Sequence, residues 1–363
     1  MNQHLDNLDN LNIGDTRSVP SPREIRERLP LTDVAATTVM AGRAAVEAIL
    51  DGLDKRLFVV VGPCSIHDPR AALEYAARLR ALADEVADTM LLVMRVYFEK
   101  PRTTVGWKGF INDPDLDDSF RIDEGLAKAR ELLLAVNRLG LPAGTEALDP
   151  ISPQYTSDLI AWYAIGARTT ESQTHRELAS GLSAPVGFKN STDGSVQTAV
   201  NALQSAARPH HFLGLTMDGR ISVFVTRGNR YGHVILRGGE HGPNHDRASV
   251  RRTEEALRRA ALRRAIVVDL SHANSAKDPR RQLAVLDDCI DQIHEGNRSI
   301  VGLMLESHLY AGNQPIPKDL SQLRYGVSVT DPCLDWESTE RALRGAHQRL
   351  AGVLERRLAR DEA

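Results

Sequence analysis

Apolar residues follow two alternating rhythms along the chain. Short, largely apolar runs occupy 57–61, 91–96, 143–148, 164–167, 186–188, 233–236, 265–270 and 300–305. Each has the length of a strand buried on both faces, as in a parallel sheet. Between most of them, 71–86, 126–139, 171–182, 196–207, 250–263 and 283–294 repeat apolar residues every three or four positions, the period of an amphipathic helix. Asp68 and Pro69 form a start signal for the first of these helices, and Gly140 a stop signal for the second. Eight such runs alternating with helices predict an α/β fold, a (β/α)8 TIM barrel. A doubly wound sheet competes, but its G-x-G-x-x-G turn is absent after the first run, as is any G-x-x-x-x-G-K-[ST] loop.

Two stretches break the rhythm. Helical patterns at 22–29, closed by Pro30, and at 39–50, ended by Gly52, predict an N-terminal extension over 1–54. The catalytic barrel is expected over 55–363. Alternating residues at 211–216 and 221–226 flank an Asp218-Gly219 turn, predicting a β-hairpin inserted at about 210–227. Extension and hairpin together read as an accessory layer for regulation or oligomerisation.

Composition narrows the function classes. Lys and Arg number 45 against 48 Asp and Glu, a net charge of −3, so no overall positive field draws nucleic acid or an anionic membrane. The basic run between Arg251 and Arg264 is interleaved with Glu254 and Glu255 and reads as a solvated helix face. The polar N-terminus lacks a signal-peptide core and no stretch of about eighteen apolar residues occurs, so a cytoplasmic protein is expected. Three scattered cysteines, Cys64, Cys289 and Cys333, exclude a disulfide framework and a four-thiolate zinc site.

In a barrel of this kind the reactive groups follow the C-terminal ends of the strands. All eight runs are followed closely by a charged or metal-binding residue. Arg95, Lys100, Arg102, Arg168, Lys189 and Arg237 would converge on one mouth, and crowded cations need an anion to neutralise them. Guanidinium forks suit phosphate and carboxylate alike. Cys64, His272, Glu306 and Asp331 form a second set, whose mixed S, N and O atoms suit a divalent Mn, Fe, Co or Zn ion better than Mg or Ca. Singly, each residue has a plainer reading: Cys64 as core filler, His272 as a hydrogen-bonded structural residue, Arg and Glu as ion pairs. Their joint occurrence at successive strand ends favours the chemical reading.

The motifs GPCSIHD at 62–68, RVYFEKPRTTVGWKG at 95–109, GARTTES at 166–172, GFKN at 187–190, ILRGG at 235–239, DLSHAN at 269–274 and ESH at 306–308 carry a resemblance. In order and spacing the chain, from about Pro22 onward, resembles the type I 3-deoxy-D-arabino-heptulosonate 7-phosphate (DAHP) synthases, in the microbial subgroup with an N-terminal extension. The resemblance implies condensation of phosphoenolpyruvate with erythrose 4-phosphate, the first step of the shikimate pathway. It implies one divalent metal ion on Cys64, His272, Glu306 and Asp331. Phosphoenolpyruvate would be held by Arg95, Lys100, Ala167, Arg168, Lys189 and Arg237, and the aldose phosphate by Lys100, Pro101, Arg102 and Thr103, with Lys108 nearby. Lys189 would donate a proton and Glu146 position water, beside the metal ligands His272 and Cys64. Feedback inhibition by an aromatic amino acid would act at Pro153, Gln154, Ser183, Phe212, Gly214 and Phe224, with glycine at 214 pointing to tyrosine. A homodimer or homotetramer is expected; the hairpin also reads as a plain dimer contact. Two alternatives stay open: the eight-carbon sibling, 3-deoxy-manno-octulosonate 8-phosphate synthase, and a non-catalytic aromatic amino acid sensor.

Overall fold

Helices α1 (Pro22–Arg28) and α2 (Asp33–Leu50) lead into β1 (Leu57–Gly62), α3 (Pro69–Glu85), β2 (Met90–Arg95), α4 (Ile122–Arg138), β3 (Ala143–Glu146), the single turn α5 (Pro153–Thr156) and β4 (Trp162–Ile165). There follow α6 (Gln173–Gly181), β5 (Val186–Lys189), α7 (Val196–Ala206), β6 (His211–Leu215), β7 (Ile221–Val225), β8 (Gly232–Leu236) and α8 (Arg247–Arg259). The remaining elements are β9 (Ile266–Asp269), α9 (Arg281–His294), β10 (Ile300–Glu306) and α10 (Trp336–Leu350). This computed structural model describes residues 9–102 and 106–357. All strands but β6 and β7 close into one barrel, in the order β1-β10-β9-β8-β5-β4-β3-β2, every pair parallel. β6 and β7 form a separate antiparallel hairpin, with Phe212 opposite Phe224. The expected (β/α)8 barrel with an inserted hairpin is therefore present.

Alternation along each strand divides the apolar residues between two cores. Leu57, Val59 and Val61 of β1 pack outward with the helices, while Phe58 and Val60 point into the barrel beside Val93, Trp162, Ile235, Val267 and Met304. Val46, Ile49 and Leu50 of α2 belong to that inner core and seal the barrel floor. The N-terminal segment thus has two parts: α2 is built into the barrel, and α1 reaches the accessory layer. There the Arg23 amide donates to the Met217 carbonyl at the hairpin turn (2.8 Å), and Tyr155 Oη donates to the Pro20 carbonyl (2.9 Å).

Helix starts follow local capping chemistry. The Asp68 carboxylate accepts from the Arg70 and Ala71 amides ahead of α3, and Pro69 occupies the first turn. Gly140 takes φ +78° just after α4, the left-handed turn that a side chain resists. Boundaries shift in places. β4 begins at Trp162 and ends at Ile165, so Ala167 lies beyond the strand. Two helices go unread in the sequence pattern. α5 is too short to show a period, and α10 buries Trp336, Thr339, Leu343, Ala346 and Leu350, with Thr339 interrupting its apolar stripe. Among the described residues, no helix is long and apolar enough to cross a membrane.

Candidate active site

The C-terminal ends of the barrel strands place their charged residues around one cavity of about 170 Å³. Arg95, Lys100, Pro101, Arg102, Glu146, Ala167, Arg168, Lys189, Arg237, His272 and Asp331 all line it. Cys64 and Glu306 lie fully buried beneath. Lys108 does not line the cavity; its carbonyl instead accepts from the Lys100 amide at 2.9 Å, fixing that loop's path. Thr103 lies outside the described residues.

One ligand atom each from Cys64, Glu306 and Asp331 fall within 4.8 Å of one another, with Cys64 Sγ 3.8 Å from Asp331 Oδ2. His272 stands at the edge of this group, its Nε2 4.0 Å from Glu306 Oε1. Its backbone is held at φ +55°, a conformation unusual for a residue with a side chain and frequent at functional sites. Lys100 Nζ donates to Cys64 Sγ (3.1 Å) and to the Cys64 carbonyl (3.2 Å). Burial would raise the Glu306 carboxyl, but His272, Arg95 and Lys100 outweigh it and hold the group at about 2. Burial and Glu306 push the Cys64 thiol up, with Lys100 opposing them. A buried thiol, two carboxylates and an imidazole edge suit a divalent transition ion, whose charge would favour the thiolate that burial disfavours.

Arg95 reaches the cavity wall, yet its donors point inward. Nε donates to the Pro63 carbonyl (3.1 Å), and Nη2 donates to the Cys64 carbonyl (3.2 Å) and to Glu306 Oε1 (2.9 Å). Its guanidinium lies 3.5 Å over the Tyr97 ring. Lys189 Nζ is 3.0 Å from Asp269 Oδ2, and burial lowers the pKa of Arg237, with Asp269 opposing and Arg168 adding to the drop. Glu146 ends β3 with Oε1 buried and lacking a hydrogen-bond partner, aimed at Gly166. A Cβ at Gly166 would stand 2.3 Å from that oxygen, so only glycine admits the Glu146 carboxylate there.

Sequence reasoning assigned no role to Asp269, Ser271, Tyr97 or Lys277. Asp269 bridges toward both Lys189 and His272, Ser271 Oγ donates to Glu306 Oε2 at 2.9 Å, and Lys277 lines the cavity. Asp269 and Ser271 do lie within the DLSHAN motif, where the spacing to His272 was a usable signal. Lys277 gave none, because its place depends on two successive left-handed residues, Ala276 and Lys277.

A second cavity, of about 590 Å³, lies between the hairpin, α5 and α6. Pro153, Gln154, Ser183, Phe212, Gly214 and Phe224 all line it. The Phe212 and Phe224 rings stand 5.9 Å apart, and a Cβ at Gly214 would come within 3.1 Å of the Phe224 ring. Arg26 Nη2 donates to the Gln154 carbonyl (2.6 Å), so α1 braces the same wall.

Known proteins place this geometry in context. The family model described as the DAHP synthetase I family matches residues 33–344. Over 354 residues, covering 98% of this chain and 99% of the relative, the sequence is 54% identical to the Tyr-sensitive phospho-2-dehydro-3-deoxyheptonate aldolase of Salmonella typhimurium. It is 52% identical over 336 residues to the Phe-sensitive aldolase of Escherichia coli, covering 93% of this chain and 95% of that one. The solved structure of phospho-2-dehydro-3-deoxyheptonate aldolase from Francisella tularensis superposes with a TM-score of 0.92 at 49% identity, covering 94% of this chain and 99% of that one.

Proposed function

The chain belongs to the DAHP synthetase I family and acts as a DAHP synthase under feedback control by an aromatic amino acid, and we propose how its own residues carry this out. Phosphoenolpyruvate and D-erythrose 4-phosphate are joined, giving DAHP and inorganic phosphate. The observation that carries the residue assignment is the convergence of Lys100, Arg102, Arg168, Lys189 and Arg237 on one cavity directly above the Cys64, Glu306 and Asp331 cluster. Two phosphorylated substrates bring the negative charge this crowd of cations requires.

Arg168, Lys189 and Arg237 hold the phosphate and carboxylate of phosphoenolpyruvate against the backbone of Ala167, with Arg95 steadying the floor. Lys100, Pro101 and Arg102, continued by Thr103, take the aldose phosphate. Cys64, His272, Glu306 and Asp331 would hold one divalent ion of the Mn, Fe, Co or Zn class, which when bound supplies Lewis-acid polarisation of the aldehyde carbonyl. C3 of the enol phosphate attacks the aldehyde carbon, and water adds at C2. Phosphate then leaves by C–O cleavage. Lys189 holds a proton at Nζ for donation, and Glu146, its Oε1 without a protein partner, orients the water. The cavity at Gly214 and Phe224 takes the effector, with tyrosine preferred; hairpin and α1 form the regulatory layer of a cytoplasmic homodimer or homotetramer.

The test measures phosphoenolpyruvate consumption with added Mn, offering erythrose 4-phosphate or arabinose 5-phosphate and each aromatic amino acid in turn. Turnover is expected with the four-carbon sugar, abolished by a strong chelator, and lost in Cys64→Ala without rescue by Mn. Preference for the five-carbon sugar would move the chain to the octulosonate reading, and no turnover with either to the sensor.

A further inference from the structure

Asp269 ends β9 fully buried behind Lys189 and His272, and its Oδ2 faces two nitrogens at ion-pair distance, neither aligned for a hydrogen bond. Lys189 Nζ is 3.0 Å away and His272 Nδ1 2.9 Å away, on that same oxygen. The other oxygen, Oδ1, is occupied by the Ser271 amide at 3.1 Å. The Lys189 and His272 side chains belong to opposite ends of the proposed chemistry, one facing the anionic substrate and one the metal. We propose that Asp269 is a positioning residue that couples these ends, so that phosphoenolpyruvate at Lys189 and a divalent ion at His272 each tighten the binding of the other.

A single carboxylate oxygen between an ammonium and an imidazole serves each less well than it would serve one alone. An anion arriving at Lys189 draws the ammonium toward itself and leaves Oδ2 to His272. With Nδ1 against Oδ2, the opposite ring nitrogen, Nε2, faces Glu306, 4.0 Å away, and an Oδ2 freed from Lys189 can align with Nδ1 and fix the ring in that direction. A carboxylate behind a metal-binding imidazole orients the ring and raises its strength as a ligand, and its loss typically weakens metal binding by 10- to 100-fold. Because coupling between binding sites is reciprocal, the ion must tighten phosphoenolpyruvate by the same factor.

This inference rests on the proposed function above, and the experiment separates the two. Mn(II) is titrated into the full-length protein, with free ion followed by electron paramagnetic resonance, with and without saturating phosphoenolpyruvate. The unmodified protein is expected to bind Mn several-fold more tightly when phosphoenolpyruvate is present. Asp269→Asn, which keeps the side chain's shape, is expected to bind Mn about 10- to 100-fold more weakly and to lose most of that enhancement. An Asp269→Asn protein that keeps both its Mn affinity and its enhancement overturns the proposal. So does an unmodified protein whose Mn affinity ignores phosphoenolpyruvate, a measurement that stands even where the variant does not fold. Failure of the unmodified protein to bind either ligand would instead overturn the functional reading.

Discussion

At single residues, the informative positions are those where a small side chain makes room for a reactive one. Gly166 admits Glu146: with a Cβ 2.3 Å from Oε1, Gly166→Ala forces the carboxylate aside. Turnover is expected to fall at least about tenfold, since misplacing a positioned group by an ångström costs up to about a hundredfold. Phosphoenolpyruvate affinity should change little, because the cations are untouched. Calorimetric binding beside steady-state rates checks this, and an unchanged kcat removes Glu146 from the chemistry. Gly214 works the same way in the second cavity, where a Cβ meets the Phe224 ring at 3.1 Å. Gly214→Ser is expected to weaken inhibition by tyrosine severalfold relative to phenylalanine, read as a shift in inhibition constants with kcat unaltered. The residue types at the first cavity were legible in the sequence, since motif spacing identifies a strand end; those at the second came only through the family resemblance. The direction of a side chain was not: Arg95 reads as a substrate cation, and folding turns its donors onto Glu306 and two carbonyls.

At the level of elements, the link between the two cavities is a contact that no periodicity encodes. Glu99, next to Lys100 in the loop after β2, accepts from Ser152 Oγ at 2.8 Å, and Ser152 immediately precedes α5 on the wall of the second cavity. Burial raises the Glu99 carboxyl to about 8, with Asp149 and Glu146 adding and the Ser152 hydroxyl opposing. Below about pH 4.5 folded and unfolded chains both hold this proton. As pH rises from there to about 8 the unfolded chain releases it while the folded one keeps it, so this residue's contribution to stability falls, and it levels off above. The full change is on the order of 5 kcal/mol. Glu99→Gln should therefore be increasingly more stable than the unmodified protein across that window, a difference that denaturant melts at a series of pH values would expose. A constant offset would mean that Glu99 titrates normally. The strands and, apart from α10, the longer helices were readable because their packing follows a repeat of two or 3.6 residues. α5 and the Glu99–Ser152 contact were hidden because one turn has no period and the partners are 53 residues apart.

For the whole molecule, the question is where the catalytic body begins. A boundary at residue 54 suits the onset of β1, yet the inner core reaches back across it through Val46, Ile49 and Leu50, all nearly inaccessible to solvent. Fully burying three such side chains contributes roughly 5–9 kcal/mol, comparable to the entire net stability of a domain. The match to the family model also starts at residue 33, where α2 starts. By contrast α1 buries only Pro22 and Ile25, and its polar contacts go to the hairpin turn and the wall of the second cavity. Two truncations should therefore behave oppositely. A chain lacking residues 1–30 is expected to fold, turn over substrate near the full rate and lose most of its inhibition by an aromatic amino acid. A chain lacking residues 1–54 leaves Phe58 and Val60 facing an open barrel floor, and is expected to aggregate or to melt far below the intact protein. Soluble yield, thermal melts and inhibition curves for the pair decide it: a stable, active chain without residues 1–54 would make α2 an appendage, and full inhibition without residues 1–30 would detach α1 from control.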